Sequence, residues 1–180
     1  MSDILLPIYE GARTMPVTDI DIHSRDLYCG GQKFGDGLVY ERIDGIVQYA
    51  VDPEDSANAL IVDLGNATRD RDGLVRFSGD FTILAPLEGG NGAALLDVPN
   101  RGGRVAPRLF NLTSFPEDPH LIEAGDGYLL RHGWTVAFCG WQCDVPRESG
   151  RMGLSAPLVT EPDGGRMQLR FQVPVNQDEL

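Results

Sequence analysis

The residues best equipped for chemistry gather in two short clusters. Asn100-Arg101-Gly102-Gly103 closes the apolar run Ala93-Ala94-Leu95-Leu96-Asp97-Val98-Pro99 and is followed by Arg104. Glycines at such a point let the backbone take positive φ or come close to a ligand, and the residues beyond could open a helix whose first N–H groups are free. A turn of this kind can hold an anion or a developing oxyanion. The second cluster, Gly140-Trp141-Gln142-Cys143-Asp144, closes the run from Tyr128 to Cys139. Both runs read as buried strands. Two such strands, each ending in polar residues, suggest one shared site.

Other constellations carry less. Ser2, Ser24, Ser56, Ser78, Ser114 and Ser149 lack both glycines of the G-x-S-x-G elbow, and Ser155 has Gly153 before it but Pro157 where the second glycine belongs. No catalytic nucleophile is identifiable, and no Ser-His-Asp set can be assembled. His23, His120 and His132 are scattered, and Cys139 and Cys143 are too widely spaced, with no second pair, for a zinc site. Thr68 to Gly73 has the wrong residues at both ends for a calcium loop and reads as an Asp-Gly turn. No phosphate loop or dinucleotide fingerprint is present, so neither a metal nor an organic cofactor is expected.

Composition narrows the classes further. The chain has 180 residues, enough for one domain with a real core, and 42% of them are hydrophobic against 23% charged. Its formal charge of −12, with 27 acidic residues against 15 Lys and Arg, argues against a nucleic-acid partner, which needs a basic patch. The N-terminal apolar run is too short for a signal peptide or a membrane span, so no membrane association and a cytoplasmic location are expected. Cys29, Cys139 and Cys143 form an odd set and are expected to stay reduced.

The elements that must position the two clusters follow from periodicity. Residues 1–37, rich in Pro and Gly, form an irregular opening segment with one strand around Val17 to Ile22. Residues 38–180 form a single β-rich domain. Leu38 to Val51 is either a hairpin turning at Asp44-Gly45 or one long bulged strand. Ala59 to Leu64 and Leu74 to Pro86 read as strands, the second half buried. Val105 to Ala124 is long enough for a crossover, with helix at Val105 to Asn111 or Pro119 to Ala124, which makes parallel pairing of the two cluster-bearing strands plausible. A last strand pair is expected at Leu158 to Glu161 and Met167 to Val175. The predicted fold class is mixed α/β and strand-rich.

Several motifs together resemble a known family. Tyr40-Glu41-Arg42-Ile43-Asp44-Gly45, Asp63-Leu64, Asp72-Gly73-Leu74-Val75, Phe77-Ser78, Asp97 to Gly102 and Gly140 to Pro146 are similar to the N-terminal portion of a family of bacterial α/β hydrolase domain-containing proteins. The likeness runs from about Ser24 to Val175, and its most specific parts are the Asn-Arg-Gly and Gly-Trp-Gln-x-Asp elements. It implies the front part of an α/β-hydrolase-like sheet with a β meander before it, incomplete without a C-terminal catalytic part that carries the serine elbow. It implies ester or acyl-bond hydrolysis of a small-molecule substrate, with this chain inactive alone. Asn100, Arg101, Gly102 and Gly103 would form the oxyanion loop, with backbone donors near Arg101 and Gly102. Gln142 and Asp144 would orient that loop or line the pocket, and Trp141 would wall it. Two alternatives stay open: a plain tight turn whose Arg101 pairs with Asp144, and a non-catalytic small-ligand-binding or interaction module. An incomplete sheet would also expose an apolar edge and self-associate.

Overall fold

The computed structural model describes residues 16–114, 116, 118, 120–146 and 150–159. Its strands are β1 (Val17–Leu27), β2 (Lys33–Phe34), β3 (Leu38–Val51), β4 (Val75–Pro86), β5 (Ala94–Asp97), β6 (Thr135–Cys139) and β7 (Leu154–Ser155), with helices α1 (Ala106–Phe110) and α2 (Tyr128–Arg131). One sheet runs in the order β1-β3-β4-β6-β5, with β2 added to β3 and β7 to β4. Every pairing is antiparallel except β5 with β6. No helix among the described residues is long and apolar enough to cross a membrane.

This architecture corrects the expected mixed α/β, hydrolase-like sheet. Helices of five and four residues cannot form the layers that cover both faces of a doubly wound sheet. The sheet is instead dominated by β1, β3 and β4, of 11, 14 and 12 residues, which pair antiparallel along most of their length.

Local readings shift for identifiable reasons. The strand expected at Val17 to Ile22 continues to Leu27 because β3 offers it a partner throughout. Asp44-Gly45 lies mid-strand in β3, not at a turn: Gly45 faces Asp21 and Phe81 so closely that a β-carbon there would fall 2.1 Å from the Asp21 carbonyl oxygen. Ala59 to Leu64 is not a strand. It lies between two 3₁₀ turns, the first capped by the Asp55 carboxylate, and leaves Leu60 and Val62 exposed. β5 is an edge strand with Leu96 exposed, not a buried one. The run from Tyr128 divides into α2 and β6, because Gly127 and Gly133 take φ of +69° and +74° on either side of the helical turn. The expected tail strand pair lies outside the described residues apart from Leu158 and Val159, of which Val159 bridges to Ala67.

The main core packs on one face of the sheet. Tyr40, Leu84, Val136 and Phe138 supply the strand side, and Ala106, Ile122, Leu129, Leu130 and Met152 cover them from α1, α2 and the connecting loops. Tyr28 and Phe34 close one end, Phe34 meeting the Tyr40 ring edge-on at 5.8 Å between centroids. The Tyr40 hydroxyl, fully buried, is shared between the carbonyls of Leu130 at 3.1 Å and Trp134 at 3.0 Å. Burial pushes that phenol up to about 12. It ties β3 to the end of α2, and Tyr40→Phe is expected to cost about 1–2 kcal/mol by removing this buried hydrogen bond, measurable by urea denaturation.

Candidate functional site

Strand register brings a row of chemically unlike residues onto the core-facing side of the sheet. Ser24 pairs with Asp44, Asp44 with Thr82, Thr82 with Phe138 and Phe138 with Asp97, so one line crosses all five principal strands. Registered neighbours share a face, which places these side chains side by side. Arg104 lies across the line. Its Nη2 donates to Thr82 Oγ1 at 2.9 Å, and its guanidinium carbon sits 5.7 Å from the centre of the Phe138 ring. Thr82 Oγ1 in turn donates to Asp44 Oδ1 at 2.6 Å.

Arg42 completes the charged cluster from within β3. Two residues apart on one strand, Arg42 and Asp44 share a face, and Arg42 Nε and Nη2 reach the two Asp44 oxygens at 2.6 and 3.1 Å. Arg42 Nη1 donates to the His120 carbonyl at 2.7 Å. The Arg104 guanidinium is pushed down to about 10, first by withdrawal from water and then by Arg42, against the opposing pull of Asp44, Asp97 and Asp80. It remains a cation at neutral pH. Burial pushes the Asp44 carboxyl upward, but hydrogen bonds from Arg42 and Thr82 and the charges of Arg42 and Arg104 outweigh it, leaving the group below its ordinary range.

The glycine turn positions Arg104. Arg101 and Gly102 have φ of +53° and +75°, and the Gly103 N–H donates to the Asn100 carbonyl at 3.2 Å, the sign pattern and closure of a type I′ turn. A β-carbon at Gly102 would fall 2.6 Å from the Met152 carbonyl oxygen, so the turn both needs glycine and is pinned by its neighbour. Beyond it, Asp97 Oδ2 accepts from the Val105 and Ala106 N–H groups, each at 2.7 Å, which anchors the start of α1 to the end of β5.

The sequence-derived site residues do come together, as a clamp around this turn. Trp141 Nε1 donates to the Pro99 carbonyl at 2.9 Å, the Arg101 N–H donates to Gln142 Oε1 at 2.5 Å, and Arg101 pairs with Asp144 at 2.6 Å. The Arg101 donor proposed for an oxyanion is thus engaged by Gln142. Arg101 and Asp144 form the ion pair of the tight-turn alternative, and the pair holds the exposed Asp144 carboxyl below its usual range. Arg151 adds a bond from Nη1 to the Arg101 carbonyl at 3.1 Å.

Beside this clamp is a cleft of about 430 Å³ lined by His23, Arg42, Asp44, Thr82, Arg104 and His120, among others. His23 and Ser24 both line it, although regular alternation sends neighbours to opposite faces. The register slips between Ile22 and Ser24, a β-bulge at His23 that breaks the alternation. The His120 ring packs on Gly150, where φ is +70° and a β-carbon would fall 2.1 Å from the imidazole. Sequence reasoning passed over Arg42, Thr82 and Arg104 as site residues. The available signals were the Arg-x-Asp spacing within an alternating strand and the arginine directly after the two glycines. Among the described residues no three His, Cys, Asp or Glu side chains gather as a metal site.

The charge network makes an acid-stability prediction. Because the folded Asp44 value is depressed, its contribution is fully present above the unfolded carboxyl value of about 4 and is lost as pH falls through the folded value. Asp44→Asn is expected to lower stability at pH 7 and to show a shallower loss than the parent below about pH 4 in urea titrations. Equal acid slopes would exclude this role for Asp44. No protein-family model, curated protein or solved structure matches the chain.

Proposed function

We propose that this domain binds a small anionic ligand, a carboxylate or phosphate, in the cleft over the Ser24–Asp97 row. The observation that carries this reading is the presence of Arg42, Arg104 and Arg151 together in the lining of one concave site in a strongly acidic protein. Among the lining residues these three guanidiniums stand against two carboxylates, Asp44 and Asp80, and Asp97 in the row beneath adds a third to the field at Arg104. Guanidinium groups suit such a ligand because their planar N–H forks match two oxygens at once.

The protein does the positioning in advance. Arg42 is held by Asp44 and the His120 carbonyl, and Arg104 by Thr82 and Phe138, so neither has to give up much rotamer freedom on binding. Like charges on Arg42 and Arg104 depress the Arg104 guanidinium, and an anion between them relieves that repulsion. Phosphate or acetate is therefore expected to raise the unfolding midpoint above that in sodium chloride of equal ionic strength, by about 1.4 kcal/mol of stability at ten times Kd. Arg42→Gln and Arg104→Gln are expected to abolish the difference. Identical curves in all three salts would sink the proposal.

Ester or acyl-bond hydrolysis is the second reading, with Ser24 standing where the family resemblance puts an elbow serine outside this chain. It is favoured by the placement of Ser24, His23 and His120 in the same cleft as the guanidiniums, where a hydroxyl, two imidazoles and anion-stabilising donors share one space. Turnover of short nitrophenyl esters separates the two readings. Hydrolysis lost in Ser24→Ala would favour the second, and anion binding without turnover the first.

A further inference from the structure

A second cavity of about 590 Å³ adjoins the arginine-lined cleft, and Arg104 and Arg151 line both. Its character is different. Val105, Pro107, Pro116, Leu121 and Ile122 form apolar walls, while Arg108 and Glu123 add charge of both signs. Asp97 fixes Val105 through its N–H at 2.7 Å, and Tyr28 fixes Ile122 by donating to its carbonyl at 2.7 Å, so two of the apolar walls are tied into the core. Leu121, by contrast, is half exposed, leaving apolar surface open to a ligand.

Resting on the anion-binding reading above, we infer that the ligand is amphiphilic, a medium-chain carboxylate whose head meets Arg42 and Arg104 and whose alkyl chain passes Arg104 into the second cavity. The apolar walls belong to the cavity that shares Arg104 with the cleft, so a molecule with its head at Arg42 reaches them by passing Arg104. The length of Arg104 suits this position: its guanidinium is held at Thr82 and Phe138, while its residue lines both spaces. Neither a small inorganic anion nor a neutral hydrocarbon uses both compartments. A carboxylate with a chain of several methylenes does, and removing that chain from water supplies affinity that the exposed half of the charged cleft cannot.

The test is a calorimetric titration of the intact chain with acetate, butanoate, hexanoate and octanoate at constant ionic strength. Affinity is expected to rise about fourfold for each methylene that enters the second cavity and then to level off. Leu121→Asp should flatten that rise toward the acetate value, and Arg42→Gln should weaken every member by a similar factor. A bound acetate with no dependence on chain length would overturn the amphiphile while leaving the anion site standing. Failure of all four carboxylates and of phosphate to bind would overturn both. A steep series unchanged by Leu121→Asp would also overturn the inference, because the chain would then lie elsewhere on the protein.

Discussion

The arginine laid across the sheet is the constraint to which the rest of the site is fitted. Bringing a guanidinium partly out of water is costly unless its donors are met and its charge is answered. Arg104 is met by Thr82 and by the face of Phe138, and its charge is answered by Asp44, Asp97 and Asp80. These groups come from β3, β4, β5 and β6, so the arginine couples register on four strands at once. A slip of one residue in any of them would turn its member of the row to the opposite face. The expected consequence is specificity of pairing more than stability, because ion pairs of this kind return little net free energy.

The same carboxylates serve two purposes. Asp97 spends its Oδ2 on the first N–H groups near α1, a helix of five residues that would be marginal without such an anchor. It therefore sets both the backbone that carries Arg104 and part of the field around its guanidinium. The glycine turn contributes from the other side. Gln142, Asp144, Trp141 and Arg151 each bond to the Pro99–Arg101 segment or to the Arg101 side chain, and Gly102 seats against Met152. The cluster that first drew attention in the sequence is thus a mounting, and the residue it mounts is Arg104.

Legibility in the sequence follows the range of the interactions. Alternation along Leu74 to Pro86 points to β4, and the length of the connection makes the parallel β5–β6 pair plausible and admits helix at two places, of which α1 occupies the first, because those signals are local or depend only on length. The overall class departs from the mixed α/β expectation because apolar runs such as Tyr128 to Cys139 do not say whether they extend or coil. Two glycines at positive φ decide that, and glycine alone does not announce its φ. Gly45 shows the reverse problem. After aspartate it has the chemistry of a turn, and only the nearness of Asp21 and Phe81 explains it as a close contact within a strand. Arg42, Thr82 and Arg104 become a set only once register is known, since the last comes 62 positions after the first in the chain.

An arginine-lined cleft on a chain of charge −12 also bears on how the proposed anion would arrive. At distances beyond the Debye length, about 8 Å in physiological salt, an approaching anion meets a screened field, and within it the guanidiniums dominate. In dilute salt the repulsion of the whole protein reaches further out and opposes approach. Moderate salt removes that long-range barrier before it weakens the contacts inside the cleft, where partial burial limits screening. For the proposed anion binding, the acidic surface acts as a filter that disfavours polyanions, which cannot bring all their charge inside, and favours ligands with one anionic group.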